Sequence, residues 1–213
     1  VLYTNFNKRL NLQNIPHIPV LYNEVLDCFK DINKGYIIDC TTGYAGHSSG
    51  LLNQNSSVQL ICNDQDDEAL NFSKNRLKDF ENRVEFNKGN FENIIKKFEN
   101  YLIRGVLADI GVSSLQLDKL DRGFSFNSEN LDMRMNQNQA LDAATVVNTY
   151  SQSELERVFR DCGEVRECKK VASLIVNNRP FTSAKEISEL LAKKMPKGKI
   201  HPATLPFQGI RIE

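Results

Sequence analysis

No apolar run in this chain approaches the roughly 20 residues needed to cross a bilayer, and residues 1–10 hold no continuous apolar stretch of the secretory kind. These absences predict a cytosolic protein without a membrane span. The five cysteines are odd in number and no two are spaced C-x-x-C, so neither a disulfide framework nor a metal site is expected. Cys40 and Cys62 fall inside apolar runs and read as buried thiols. An excess of one charge is also missing, because 27 Lys+Arg balance 27 Asp+Glu. The balance is uneven along the chain. From Arg157 onward 12 basic residues stand against 6 acidic ones, which leaves 15 against 21 before that point. A basic C-terminal third is compatible with an RNA-facing surface, and equally with ordinary solvated helix faces. There is no internal repeat and no low-complexity tract.

What is present is an alternation. Gly35-Tyr-Ile-Ile-Asp-Cys40, Val58-Gln-Leu-Ile-Cys62, Arg83-Val-Glu-Phe-Asn87 and Arg104-Gly-Val-Leu-Ala-Asp-Ile110 read as four strands. Between them, helices are predicted from His47, from Asp67 after an Asp66 N-cap, and over Phe91–Leu102 with Phe91, Ile94, Ile95 and Phe98 on one face. Strand–helix alternation of this kind means a parallel sheet with right-handed crossovers. Leu115–Asn138 then has no clean period, and a segment of that length is more often functional than idle. Helices alone follow. Ser151-Gln-Ser-Glu154 and Ser183-Ala-Lys-Glu186 are capping boxes opening helices to about Asp161 and Met195, and Glu164–Asn178 carries an apolar stripe. The boundary between an α/β core and a helical domain is placed near Leu115.

The chemistry-bearing residues fall at strand ends. The turn Asp39-Cys-Thr-Thr-Gly43-Tyr-Ala-Gly46-His47 lacks the dinucleotide G-x-G-x-x-G pattern. It suits a ligand without a pyrophosphate, although tight glycine turns also join strands to helices with no ligand at all. Asp64 ends the second strand, 21 residues after Gly43, where an acid accepts ribose hydroxyls. Phe91, after Gly89-Asn90, offers an aromatic face for an adenine ring, and core packing is an equal alternative. Asp109 ends the fourth strand. Ligands of open α/β sheets bind outside the carboxyl ends of the strands, and all four features sit there.

At these residues the chain resembles a known family. The segments His17-Ile-Pro-Val-Leu21, Gly43-Tyr-Ala-Gly-His-Ser48, Gly89-Asn-Phe91, Asp109-Ile-Gly-Val-Ser-Ser114, Gln116-Leu-Asp118, Arg122-Gly-Phe-Ser-Phe126, Leu131-Asp-Met-Arg-Met135 and His201-Pro-Ala-Thr204 are similar to those of the bacterial 16S rRNA cytosine-N4 methyltransferases. The resemblance runs from about His17 to Ile212. It implies an α/β fold: a Rossmann-like class I methyltransferase core with an inserted, mostly helical domain. The core would be residues 1–115, completed by 206–213 and by residues absent from this chain, with 116–205 as the helical insertion and RNA-recognition domain. It implies S-adenosyl-L-methionine as cofactor, held at Ala45, Gly46, His47, Asp64, Phe91, Asp109 and Gln116. Gln116 comes from the resemblance alone. The implied partner is 16S rRNA in the small ribosomal subunit. Tyr44 stands where the family usually has Arg, Ala45 where it often has Gly, and Leu205-Pro206 where it has Arg-Thr. Family members continue past Glu213, so the chain resembles a C-terminally truncated version.

The implied reaction is in-line methyl transfer to a poorly nucleophilic exocyclic amine, aided by acceptors for the amino hydrogens. Asp109 and the Ile110 carbonyl are candidate acceptors. Asp132 and Asn136 are further candidates for a base, against an alternative in which Asp132 caps a turn. The Asp/Asn-Pro-Pro-aromatic motif of other amino-methyltransferases is absent, and no general base is assigned. RNA contact would fall to Arg122, Arg134 and the helix bearing Arg166, Lys169 and Lys170. Phe124 and Phe126 would either stack on an extruded base or anchor their loop. A small-molecule methyltransferase on the same core and a non-catalytic fragment are the competing readings.

Overall fold

The computed structural model of the protein describes residues 19–112, 116, 117 and 119–213. Of the features singled out above, residues 1–10, His17, Ile18, Ser113, Ser114, Leu115 and Asp118 lie outside the described residues. The chain divides into two compact units, residues 1–113 and 114–213.

In the first unit, helix α1 (Tyr22–Phe29) precedes strands β1 (Tyr36–Asp39), β2 (Gln59–Asp64), β3 (Val84–Lys88) and β4 (Ile103–Leu107). Helices α2 (Gly46–Gln54) and α3 (Asp67–Arg76) and the short α4 (Ile94–Lys97) lie between them in sequence. The four strands form one parallel sheet in the order β3-β2-β1-β4. The sheet explains why its central strands read as unbroken apolar runs. Successive side chains point to opposite faces, and both faces are covered. Ile37, Leu60 and Cys62 join one core with Leu51, Leu52 and Leu77. Ile38, Cys40 and Ile61 join a second with Ile94 and Phe98. Asp66 caps α3 by accepting from the Glu68 N–H, with Asp67 and Glu68 in the first turn, where their charge complements the helix dipole. The helix expected over Phe91–Leu102 is shorter, a 3-10 turn (Phe91–Asn93) leading into α4. Only Ile94 and Phe98 of its expected apolar face are buried, while Phe91 and Ile95 are exposed. Phe98 and Tyr101 meet edge to face, and the chain turns there to enter β4.

The second unit is helical among its described residues: α5 (Ala143–Thr149), α6 (Gln152–Arg157) continued by a π-turn (Val158–Cys162), α7 (Cys168–Asn177), α8 (Ala184–Lys194) and α9 (Thr204–Ile212). Both capping boxes form as the sequence indicates. The helix expected from Glu164 begins only at Cys168. Gly163 N–H bonds to the Val158 carbonyl and Val165 N–H to that of Phe159, and Glu164 takes φ +54°, so the chain reverses before it can recoil. Residues 206–213, expected to help complete the core, belong mostly to α9 in this unit, where Pro206, Phe207, Gly209 and Ile210 are buried. None of the described helices is long and apolar enough to cross a membrane.

The aperiodic segment before α5 is an internally bonded loop. Arg122 is buried, 6% exposed, and its Nη2 donates to the carbonyls of Arg134 and Met135 at 3.1 and 3.2 Å. Arg134 grips Asp132 with two bonds of 2.7 and 2.8 Å and donates to the Gln139 carbonyl at 2.5 Å. The carbonyls of Asn130 and Ser128 in turn accept from the first amides of α8, Ala184 and Lys185, satisfying donors that a helix start leaves open. Arg122 and Arg134 thus hold the loop together, a role that competes with the RNA contact expected of them: guanidiniums committed to carbonyls and a carboxylate have few donors left to offer a phosphate. Phe124 is buried, and Phe126 stacks on His201 at 4.6 Å and meets Phe207 edge to face at 5.3 Å, which favours anchoring over base stacking.

Gly123 between them takes φ +81°, and a Cβ there would lie 2.6 Å from the Asp132 amide nitrogen. Gly123→Ala is therefore expected to destabilise the protein by about 1–3 kcal/mol. An unchanged midpoint in urea unfolding would contradict this account of the loop.

Candidate cofactor site at the sheet's carboxyl edge

The site is built by hydrogen bonds that run sideways between loops. Where each strand's apolar run stops, a polar side chain reaches to the next loop. Asp64, at the end of β2, accepts from the Gly43 N–H at 2.8 Å with Oδ2 and from the Asp66 N–H at 3.0 Å with Oδ1. Its neighbour Asn63 is buried, and its Nδ2 donates to the Cys40 carbonyl at 2.9 Å and the Gly89 carbonyl at 3.0 Å. Asn63 Oδ1 accepts from Asn87 Nδ2 at 2.6 Å, and Asn87 Oδ1 accepts from Lys97 Nζ. Thr41 Oγ1 accepts from the Asp109 N–H at 2.7 Å. The loops after β1, β2, β3 and β4 are thereby linked into one rim.

The glycine turn has the backbone its composition allows. Gly43 takes φ +52° and Ala45 φ +55°, left-handed values that glycine adopts freely and alanine only under constraint. A Cβ on Gly46 would overlap Pro19, so that position must stay glycine while Pro19 lies against it. Ala45 and His47 are buried. His47 Nε2 is held by the Val20 carbonyl at 2.9 Å and its ring stacks near Tyr22. Each can therefore address a ligand mainly through its backbone. Asp64 is partly exposed at the rim, and Phe91 is 38% exposed. Asp109 and Ile110 are exposed just beyond β4. Gly46, Asp64, Phe91 and Asp109 thus lie on loops of one sheet edge. Gln116 is buried and belongs to the second unit.

The electrostatics of this edge are acidic. Asp39 is fully buried at the end of β1, where it accepts from Ser48 Oγ at 2.6 Å and the Thr41 N–H at 3.3 Å. Burial raises its carboxyl to about 6, against those hydrogen bonds, and the Asp64 charge adds to the rise. Burial also raises Asp64, opposed by the bonds from Asp66 and Gly43. Among the described residues, no Lys or Arg forms an ion pair with Asp39, Asp64 or Asp109. Burial pushes the Cys62 thiol up to about 12, so that sulfur is inert packing. Asp39, Asn63 and Asn87 carry this architecture without having been singled out in the sequence. The signal was available, since each is a polar residue set where an apolar run ends.

Asp39 generates a pH prediction. Its folded proton affinity exceeds that of an ordinary carboxylate, so it contributes stability that is full below about pH 4 and is lost as the pH rises through about 6. Relative to wild type, Asp39→Asn should gain stability between pH 4 and 8, by up to about 3 kcal/mol at about 1.4 kcal/mol per tenfold change in proton affinity. Urea denaturation at several pH values measures the difference, and a gap that stays flat would refute it.

Known proteins resemble this chain over most of its length. Residues 14–213 match the MraW methylase family. The chain is 78% identical over 200 residues to ribosomal RNA small subunit methyltransferase H of Aliarcobacter butzleri (strain RM4018), an alignment covering 94% of this chain and 67% of that protein. It is 56% identical to the protein of that name from Sulfurimonas denitrificans, over 95% of this chain and 67% of that one. For that from Nitratiruptor sp. the identity is 54%, over 94% and 67%. The chain therefore spans about two thirds of the length of these relatives, and it belongs to the MraW methylase family.

Proposed function

We propose that this protein transfers the methyl group of S-adenosyl-L-methionine to the N4 amine of a cytidine in the 16S RNA of the small ribosomal subunit. The observation that carries the reading is the single acidic rim in which the loops bearing Gly46, Asp64 and Asp109 are joined by hydrogen bonds. The donor set fits the cofactor. When bound, S-adenosylmethionine supplies a methyl group activated by a positively charged sulfur. A rim with three carboxylates and no paired cation among the described residues favours such a ligand electrostatically. The names of the relatives, small-subunit rRNA methyltransferases, extend the reading to the acceptor.

The chain's own residues divide the work. Asp64 spends one lone pair of each oxygen on the backbone and keeps the others for ribose hydroxyls. Ala45, Gly46 and His47 present backbone at the start of α2, for the methionine portion. Phe91 offers a face to the adenine. The Asp109 carboxylate and the Ile110 carbonyl accept from the amino hydrogens of the target cytosine, which localises the nitrogen lone pair and holds it in line. Asp132 takes no part as a base. Hydrogen bonds from Arg134 hold its carboxyl below the usual carboxylate range, and it caps its own turn through the Arg134 N–H. Asn136 likewise closes a turn by accepting from the Asn138 N–H.

Two measurements test this. Methyl-labelled S-adenosylmethionine incubated with undermethylated small ribosomal subunits should yield N4-methylated cytidine after nuclease digestion. Label confined to free small molecules, or none at all, overturns the assignment. Asp64→Ala should weaken S-adenosylhomocysteine binding at least tenfold, about 1.4 kcal/mol, by titration calorimetry. Affinity equal to wild type would remove Asp64 from the site.

A further inference from the structure

We propose that the exposed segment Lys193–Lys199 of the second unit is a docking strip for the phosphate backbone of the RNA substrate. The inference rests on the functional reading above for the identity of the polyanion, and on this segment's own structure for its place. Four lysines, Lys193, Lys194, Lys197 and Lys199, fall within seven residues, and no acidic residue occurs between Glu189 and Glu213.

The sequence dictates their display. Pro196 disfavours helical backbone in the residue before it, and Met195 is extended at φ −103°, ψ 152°, so α8 ends at Lys194. The chain from Pro196 to Ile200 is exposed throughout, including a 54%-exposed Ile200. The base of the segment is fixed, because His201 stacks on Phe126 at 4.6 Å and its Nδ1 accepts from the Ala203 N–H at 3.2 Å. The strip is therefore an open arm of cations on an anchored root. Six residue steps reach at most about 20 Å, a length that can follow several consecutive phosphates.

The other cations of this unit are largely committed. Arg122 and Arg134 bind the loop, and Arg157 pairs with Glu213 and Arg160 with Asp161. Arg179 donates to the carbonyls of Val147 and Tyr150. Lys185 pairs with Glu129, and Lys170 lies 4.0 Å from Glu167. Among the described residues none of the four strip lysines has an acidic partner. Arg166, Lys169 and Arg211 share that condition, but Arg211 is half-buried and Glu164 and Glu167 lie among the other two, whereas no acid interrupts the strip. Lys193 and Lys194 also lie in the last turn of α8, where they favour the helix dipole. That role would act on stability, whereas phosphate docking acts on the salt dependence of RNA binding.

The test replaces all four lysines by glutamine (K193Q, K194Q, K197Q and K199Q), which is a good helix former. It compares binding of small-subunit rRNA from 50 to 300 mM salt with that of the wild type. The matched control carries K34Q, K74Q, K78Q and K96Q, at exposed positions of the first unit. Each phosphate contact contributes a slope of about 0.7–0.9 in log affinity against log salt. With four contacts removed, the strip variant should lose about 3 from that slope and raise the KM for rRNA at least tenfold. Its kcat at saturating RNA and its S-adenosylhomocysteine affinity should stay at wild-type values, and the control should match wild type. A strip variant with unchanged slope and KM overturns the docking strip while leaving the functional reading intact. Wild-type protein that neither binds nor methylates the rRNA, while still binding S-adenosylhomocysteine, overturns both.

Discussion

The carboxyl end of β2 is the constraint on which the first unit depends. A parallel sheet leaves its connecting loops side by side at one edge, and nothing in the strand ladder fixes them to each other. Asn63 and Asp64 supply that fixation. One is buried and reaches both ways, to the Cys40 carbonyl on one side and the Gly89 carbonyl on the other. The other is partly open and holds the Gly43 amide. Buried polar groups are costly unless fully satisfied, and Asn63 is satisfied by three partners from two neighbouring strands and their loops. The same pair of consecutive residues therefore sets the spacing of the turn and offers the carboxylate that a ribose would meet.

A second tension sits beneath it. Asp39 is fully buried beside Ser48 and Thr41, and a carboxylate there is disfavoured by desolvation. Stability alone would favour a neutral hydrogen-bonding side chain at this position. Its cost is intelligible if a cation is to be received at the rim, since a pre-existing negative field needs no rearrangement when positive charge arrives.

Much of this is legible in the residues alone. The four strands follow from short apolar runs, and the parallel order follows from their alternation with helices. The two capping boxes name the starts of α6 and α8 from Ser151 and Ser183. The glycine turn and Asp64 are recognisable because strand-end position and residue type carry the same message. What is not legible depends on partners distant in sequence. Arg122 and Arg134 look like RNA contacts when only their charge is read. Their commitment to the carbonyls of residues 134, 135 and 139 and to Asp132 is visible only once the loop is folded. Helix α9 escapes the sequence pattern for a local reason. Pro206 falls in its first turn, where proline is tolerated, and is compatible with the helix.

The two units also resolve the absence of net charge. A neutral total usually argues against a nucleic-acid partner, because phosphate affinity is electrostatic. Here neutrality is a sum of two opposed surfaces. The first unit gathers Asp39, Asp64 and Asp109 at one edge, which suits a ligand bearing positive charge. The second unit buries or pairs most of its cations and leaves a short run of lysines open. Local charge, read unit by unit and corrected for what is already paired, is therefore the quantity that bears on function, and the total is not.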